Sequence, residues 1–392
     1  MKKRVLSLVL AFVLLIQILT ICFSASAASK TPVWDKYSKN GSHAVATAEF
    51  KINGFNFTYK AWYPKDIKKL SKCPVLLYCN GTGSSYLKDP ITGKFLTVAA
   101  SYGFICVTNS DENCGTGKSM DAAMTKLLEF NNTKSSPFYK KVDASKVALA
   151  GHSQGATCTM NLSDPAQYSN AKYYKAIYAC SLPTNALAAS PAQNCPYDST
   201  TVKVPTLLTA GSGFTDQGFI CPIEKSLRPN FSNIKSDVYM ARLDGVEHAE
   251  SMQKTYPYMV AWILFRLNNN QTAAKAFIGA KPELKTNPKW IDFKVKLTKK
   301  ECTLNKVKPA KKAFKAAWKK QAHVSGYKIS YSTNSKFKKA KTVTVTTSTK
   351  GAKTVKKLKS KKKYYVRVRA YTKIGSKNYY SDWSSVKTVK TK

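Results

Sequence analysis

The hydrophobic pattern between residues 70 and 270 predicts short buried strands that alternate with helices. Apolar runs with the length of buried strands lie at residues 75–79, 104–108, 147–150, 176–180, 206–210 and 238–243. Helical patterns lie at residues 95–102, 120–130, 156–162 and 252–267. Because parallel strands are joined through crossover helices, this order predicts an α/β fold with a doubly wound sheet. Residues 48–63, which alternate around Asn53-Gly54, predict an antiparallel hairpin before it.

The C-terminal part of the chain has a different pattern of polar and apolar residues. Residues 327–332, 342–347 and 365–370 alternate polar and apolar side chains and are rich in Thr, Tyr and Val, which predicts a small all-β sandwich. A chain of 392 residues is also too long for one ordinary core. We therefore expect an α/β domain at residues 28–297, a linker at 298–306 and a sandwich at 307–392.

The first 27 residues have the pattern of a secretory signal peptide. Met-Lys-Lys-Arg is followed by an apolar run at residues 5–23 and by Ala25-Ser26-Ala27. Ile21 directly before Cys22 departs from the lipoprotein pattern, so we expect cleavage near Ala28. No later run reaches the ~20 apolar residues that a membrane helix needs. The sequence predicts an exported product, extracellular or associated with the cell wall, with no membrane span.

Positive charge is concentrated in the C-terminal part. The chain has a net charge of +43, and residues 302–392 contain 27 lysines and arginines against one acidic residue, Asp382. Nearly all of this charge is lysine spread over strands and turns, without a base-reading motif, so nucleic acid is not an expected partner. We expect diffuse attraction to an anionic cell-wall polymer or an acidic polysaccharide. The alternative is a soluble spacer with a charged surface.

One five-residue motif suggests nucleophilic chemistry. Gly151-His152-Ser153-Gln154-Gly155 directly follows a predicted strand and precedes a predicted helix. A nucleophilic serine on a tight strand-to-helix turn needs glycine on both sides, because the backbone there leaves no room for side chains. Ser153 is therefore the predicted nucleophile.

A serine hydroxyl needs a base, and the chain offers four histidines. His43 precedes the first strand, His152 lies within the motif, and His323 lies in the basic part. His248 remains, just after the last predicted strand of the sheet, and is the predicted general base.

The third member of such a triad is a carboxylate that orients the imidazole. Asp216 follows the strand predicted at residues 206–210, which gives the chain order Ser, acid, His. Asp244 and Glu247 lie very near His248 in sequence and are the alternatives.

Acyl transfer also requires donors directed at the developing oxyanion. Asn80-Gly81-Thr82-Gly83-Ser84-Ser85 follows the first buried strand, and its glycines let backbone amides turn inward. We assign the oxyanion hole to the amides of Thr82 and Gln154. Chemistry of this kind requires no metal and no organic cofactor.

Nine cysteines follow Cys22, and an odd number leaves at least one outside an intrachain bridge. Cys79 and Cys106 lie in apolar strands and are expected to be small buried hydrophobic residues. Cys195 and Cys221 flank the segment before and around Asp216, and a disulfide between them would fix that loop in an oxidising compartment.

These motifs together resemble the bacterial cutinase and polyester hydrolase branch of the α/β-hydrolases, with dienelactone-hydrolase-like and platelet-activating-factor-acetylhydrolase-like enzymes as near neighbours. The resemblance covers roughly residues 45–295. Thr82 stands where that branch usually has an aromatic that clamps the substrate, and Gln154 stands where Met is usual. The resemblance implies the α/β-hydrolase fold and a triad of Ser153, Asp216 and His248.

The C-terminal part contains Trp318, Gly326-Tyr327-Lys328-Ile329, Tyr364, Val366 and Val368. By these residues it resembles the lysine-rich fibronectin type III domains of proteins secreted by Gram-positive bacteria, in which Tyr364 matches the tyrosine corner and the others match core positions. The predicted activity of the whole chain is that of a secreted serine carboxylesterase acting through an acyl-enzyme. The alternatives are a polyester or polyhydroxyalkanoate depolymerase, a dienelactone or peptide hydrolase, and a non-catalytic cell-wall-binding protein.

Overall fold

The computed structural model describes residues 31–392, so the predicted signal peptide lies outside the described residues. Residues 45–296 contribute a nine-stranded mixed sheet with strand order β1-β2-β4-β3-β5-β6-β7-β8-β9. Strands β3 to β8 pair in parallel, whereas β1, β2 and β9 are antiparallel to their neighbours. The strands are β1 (Val45–Phe50), β2 (Tyr59–Pro64), β3 (Cys73–Cys79), β4 (Ile105–Asn109), β5 (Val142–His152), β6 (Tyr174–Cys180), β7 (Thr206–Gly211), β8 (Val238–Leu243) and β9 (Trp290–Lys296).

Helices cover both faces of this sheet. They are α1 (Pro32–Tyr37), α2 (Pro90–Ser101), α3 (Lys118–Asn132), α4 (Gln154–Leu162), α5 (Asn185–Ala188), α6 (Arg228–Asn233), α7 (His248–Asn268), α8 (Gln271–Ala274) and α9 (Glu283–Thr286). Shorter 3₁₀ or π turns occupy Ile67–Lys69, Cys114–Thr116, Ser169–Tyr173, Asp216–Ile220 and Ile223–Leu227. None of the helices within residues 31–392 is long and apolar enough to cross a membrane.

Two apolar clusters show how the helices pack. Phe95 of α2 and Trp262 of α7 belong to the cluster on one face, and Met124 of α3 and Ala156 of α4 belong to the cluster on the other. Continuously apolar strands such as β3 are buried along their whole length because both faces of the sheet are covered. The predicted α/β layering is confirmed, and the predicted hairpin corresponds to the antiparallel pair β1 and β2.

Strand β9 was not among the predicted strands. It pairs antiparallel with β8 and closes one edge of the large sheet. Its sequence, Ile291-Asp292-Phe293-Lys294-Val295-Lys296, alternates apolar and charged side chains, so the strand signal is present just before the expected linker.

Residues 304–390 contribute a sandwich of two antiparallel sheets. One contains β10 (Leu304–Ala310), β11 (Ala313–Trp318) and β14 (Ala352–Val355). The other contains β12 (Gly326–Ser332), β13 (Lys341–Val345), β15 (Lys363–Ile374), β16 (Lys377–Tyr380) and β17 (Lys387–Lys390). Strand β10 begins at Leu304, inside the range expected for the linker.

The core of the sandwich contains the aromatic residues that the sequence placed there. Trp318 and Tyr327 are buried with ring centroids 5.1 Å apart. The hydroxyl of Tyr364 accepts a hydrogen bond from the amide of Lys359 at 3.1 Å, five residues upstream, as a tyrosine corner does.

The sandwich contacts the α/β part directly. Ile374 is buried in the same apolar cluster as α7, and its strand forms a bridge with Gly279. His323 packs edge-on against Phe265 of α7, with ring centroids 4.9 Å apart. These contacts cover the C-terminal end of α7.

The expected Cys195–Cys221 disulfide is wrong. All nine cysteines within residues 31–392 are buried free thiols. Cys221 Sγ is directed at Ser226 Oγ at 3.7 Å. Cys195 instead packs against Gly115, where an added Cβ would lie 2.6 Å from Cys195 Sγ. Burial of these thiols as small apolar groups, the expectation for Cys79 and Cys106, is confirmed.

Candidate active site

Ser153 lies at the tight turn between β5 and α4. Its backbone angles are φ 55° and ψ −125°, a conformation that L residues rarely adopt and that costs of order 1–3 kcal/mol. The Ser153 amide donates to the carbonyl of Cys180 at 2.9 Å, which ties the turn to the end of β6. The strain therefore persists because the neighbouring strand fixes the backbone.

The two flanking glycines permit this turn. A Cβ on Gly151 would clash with the carbonyl of Gly155, and a Cβ on Gly155 would clash with the carbonyl of Cys79 at the end of β3. Helix α4 thus starts in close contact with both β5 and β3. Glycine is required at both positions because any side chain would collide with backbone atoms.

His248 and Asp216 form a short hydrogen bond. His248 is the first residue of α7, and its Nδ1 lies 2.6 Å from Oδ1 of Asp216. Because the carboxylate is an acceptor, Nδ1 donates the proton of this bond, and Nε2 is the ring nitrogen left to act as a base. Asp216 is completely buried, and its Oδ2 accepts from Ser181 Oγ at 2.7 Å and from the Gly211 amide at 3.0 Å. Three donors compensate for the removal of this carboxylate from water.

The two alternative carboxylates face other partners. Asp244 accepts a hydrogen bond from Ser212 Oγ at 3.0 Å. Glu247 accepts from the amides of Phe214 and Thr215 at 2.8 and 3.1 Å, and these bonds lower its pKa. Of the three candidates, Asp216 is the one that bonds to the imidazole of His248, while Glu247 fixes the loop that presents Asp216.

A second histidine fixes the backbone of His248. His152 Nε2 lies 3.0 Å from the carbonyl oxygen of His248, and the two rings are 4.5 Å apart. Burial lowers the pKa of His152 to about 3, and the neighbouring His248 adds to the effect. His152 is therefore neutral near pH 7 and donates its Nε2 proton to that carbonyl. Ser251 Oγ donates to the same carbonyl at 2.8 Å.

Ser153 and His248 line one cleft of about 330 Å³ at the C-terminal edge of the parallel strands. Polar groups provide much of its wall. The lining residues are Tyr78, Gly81, Thr82, Ser84, Asp89, Ile91, His152, Ser153, His248, Ala249, Met252 and Gln253.

The predicted oxyanion residues flank Ser153. Thr82 belongs to the loop after β3, and a Cβ on the adjacent Gly81 would lie 3.5 Å from Ser153 Cβ. Gln154 is the first residue of α4 and is buried. Among the residues that the structure describes, neither the amide of Thr82 nor that of Gln154 donates to a protein acceptor. Two free N–H groups therefore lie on the segments next to the serine.

Sequence reasoning missed Ser181 and Gln193. Ser181 follows β6 and donates to Asp216, and Gln193 accepts hydrogen bonds from the side chains of both Thr82 and Gln154. Neither position belongs to a recognisable motif, because each acts on residues more than 30 positions away in sequence. His152 did carry a signal, since it lies within the motif, but its bond to His248 depends on the tertiary fold.

Comparison with known proteins identifies the domain family of the C-terminal part. Residues 292–387 match the family model of the fibronectin type III domain, so the predicted sandwich is of that type. The match begins inside β9, which pairs with the large sheet. No curated protein was found to be significantly similar to the chain.

Proposed function

We propose that the α/β part is a serine hydrolase of the α/β-hydrolase fold that cleaves carboxylic esters through an acyl-enzyme on Ser153. The observation on which this depends is the 2.6 Å bond between Asp216 and His248, beside a strained serine in the same cleft. The chain order Ser, acid, His and the strand-turn-helix setting of the serine support that fold.

The arrangement of these side chains supports the following steps. His248 Nε2 takes the proton of Ser153 Oγ as Oγ bonds to the ester carbonyl carbon, and the amides of Thr82 and Gln154 stabilise the oxyanion. The carbon–oxygen bond to the alcohol then breaks, and the alcohol leaves with the proton from His248. Water repeats the sequence on the acyl-enzyme and releases the carboxylic acid.

A fluorophosphonate probe tests the nucleophile. It should label the wild type, and p-nitrophenyl acetate should be hydrolysed, whereas Ser153→Ala should lose both properties. Ser145→Ala, an exposed serine at the start of the same strand, is the matched control and should behave as the wild type. Equal labelling of Ser153→Ala would refute the proposal. A folded wild type that neither binds the probe nor hydrolyses esters would favour the non-catalytic alternative.

A polymeric ester is the second candidate substrate. Phe214 and Phe219 flank Asp216 in sequence, are 74% and 63% exposed, and pack edge to face at 5.3 Å. An exposed aromatic pair suits contact with an apolar polymer surface. Clearing of a polyester emulsion, compared with turnover of p-nitrophenyl acetate, would separate the two. Phe214→Ser with Phe219→Ser should then reduce clearing while leaving turnover of the small ester unchanged.

The chain is also proposed to act outside the cell. The signal pattern in residues 1–27 supports export, and the basic fibronectin type III domain supports retention near an anionic polymer of the cell wall. Detection of the processed chain in the culture medium or on cell walls would test this proposal.

A further inference from the structure

Gln193 connects the two segments that flank the nucleophile. Its Oε1 accepts a hydrogen bond from Thr82 Oγ1 at 3.0 Å and another from Gln154 Nε2 at 2.9 Å. Thr82 comes from the loop after β3, and Gln154 begins α4 on the other side of Ser153. One side-chain oxygen therefore joins two segments that share no direct hydrogen bond within the described part of the chain.

The short turn that contains Gln193 is itself fixed. The amides of Gln193 and Asn194 donate to the carbonyl of Ser190 at 3.1 and 2.8 Å, and the Cys195 amide donates to the carbonyl of Ala188 at 2.8 Å. Cys195 is 2% exposed and packs against Gly115. Because the next two residues are anchored, the Gln193 side chain projects from a defined point.

Thr82 makes few bonds of its own. The amide of the adjacent Gly83 donates to the carbonyl of Glu112 at 2.9 Å, whereas the amide of Thr82 donates to no protein acceptor within the described residues. The bond from its hydroxyl to Gln193 therefore restrains Thr82 directly. Gln154 is 1% exposed, and loss of the Gln193 oxygen would leave a buried amide group without its acceptor. An oxyanion hole works only if its donors are already in place before charge develops.

We propose that Gln193 is a positioning residue that fixes the separation of the Thr82 and Gln154 amides. This inference rests on the proposed function, because those amides matter only if Ser153 acts on an acyl group. Gln193 is not itself among the residues that line the cleft, so its effect on the reaction passes through Thr82 and Gln154. Its removal should slow the chemical step and leave ground-state binding of the ester nearly unchanged.

The experiment measures kcat and KM for p-nitrophenyl acetate in the full chain. Gln193→Met preserves length and removes the acceptor, and we expect kcat to fall about tenfold while KM stays within about twofold. Thr82→Val removes only the hydroxyl donor and keeps the backbone amide, so a smaller fall in kcat is expected. Gln167→Met changes an exposed glutamine that bonds to Asp164, and it should not alter either constant.

A double-mutant cycle separates positioning from mere loop stability. If Gln193 acts through Thr82, the fold-decrease in kcat of the double variant should be smaller than the product of the fold-decreases of Gln193→Met and Thr82→Val. Multiplicative effects, or a kcat of Gln193→Met equal to the wild type, would overturn the inference. Fluorophosphonate labelling of Ser153 in the wild type keeps the two proposals distinct. Its absence would refute the proposed function, whereas its presence with an unaffected Gln193→Met would refute this inference alone.

Discussion

Ser181 Oγ donates a hydrogen bond to Oδ2 of Asp216 at 2.7 Å, and both residues are completely buried. A hydrogen bond to a buried carboxylate is worth about 1.5–3 kcal/mol. Ser181→Ala should therefore lower kcat/KM for p-nitrophenyl acetate by about 10- to 100-fold, because Asp216 is held less firmly against His248. Ser330→Ala removes a buried hydroxyl from the sandwich and should leave kcat/KM unchanged. Unaltered kinetics in Ser181→Ala would show that the Gly211 amide is sufficient to hold Asp216.

Asp216→Asn tests the assignment of the carboxylate more directly. An amide at position 216 no longer stabilises an imidazolium and can present its NH₂ group to Nδ1, which favours the wrong tautomer of His248. We expect kcat to fall by about 10⁴-fold, as measured with p-nitrophenyl acetate. Asp244→Asn alters the exposed carboxylate that bonds to Ser212, and its activity should stay within about twofold of the wild type. The reverse ranking would assign the role to Asp244.

The glycines of the turn should be indispensable for stability as well as for activity. Gly151→Ala forces a Cβ into the Gly155 carbonyl, and backbone atoms there cannot move without disrupting the turn. Urea unfolding should show a loss of about 3 kcal/mol or more in the free energy of unfolding. Gly93→Ala in α2 is the control, since nothing lies within 4 Å of its added Cβ, and it should stabilise by about 0.5–1 kcal/mol. Equal unfolding free energies in the two variants would contradict the steric argument.

The sequence alone was sufficient to predict the features that depend on hydrophobic periodicity or on local steric requirements. The apolar runs located β3 to β8, and the paired glycines marked the turn that presents Ser153. Elimination among four histidines and the order of the chain selected His248 and Asp216, which the structure brings to 2.6 Å.

Other features depend on which side chains meet in three dimensions. Ser181 and Gln193 are single polar residues in loops, and only the fold determines that they face Asp216 and Thr82. The prediction of a Cys195–Cys221 disulfide was wrong for the same reason, because sequence proximity does not determine which side chains meet. Cys195 and Cys221 flank one stretch of sequence, but Cys195 packs against Gly115 and Cys221 is directed at Ser226.

Acid should destabilise the protein through His323. Burial lowers the pKa of His323 from 6.5 to about 3, and the nearby Arg266 adds to the effect. Between these two pH values the unfolded chain binds a proton that the folded chain does not, so the free energy of unfolding falls as pH falls. The contribution is fully present above about pH 6.5 and is lost progressively toward pH 3.

His323→Gln should flatten this dependence. The Tm difference between wild type and variant at pH 8 measures the loss of packing against Phe265, since neither side chain is charged there. From pH 8 to pH 4 the wild type should lose at least about 2 °C more than the variant. His152, whose pKa is also lowered to about 3, should preserve part of the acid sensitivity in both proteins. Parallel Tm curves would show that His323 binds its proton equally well in the folded and the unfolded chain, and would contradict the lowered pKa.

Lysines of the fibronectin type III domain should control retention on polyanions. The loop between β14 and β15 and the start of β15 carry a dense exposed group, formed by Lys356, Lys357, Lys359, Lys361, Lys362 and Lys363. Attraction between exposed charges is screened beyond about 10 Å at 0.1 M salt, so the full chain should elute from a sulfated polysaccharide resin as NaCl rises. Changing these six lysines to Gln should lower the NaCl concentration at elution.

A charge-matched control distinguishes retention by this group of lysines from retention by the net charge of the whole chain. Six exposed lysines of the α/β part can be changed to Gln in the same way, at positions Lys51, Lys65, Lys68, Lys69, Lys72 and Lys94. Both variants lose six positive charges, so a response to net charge would shift their elution equally. We expect the larger shift for the sandwich variant, because residues 302–392 hold 27 of the 64 basic residues with a single acidic residue among them. Equal shifts, or retention that persists unchanged as salt rises, would exclude this domain as the electrostatic anchor.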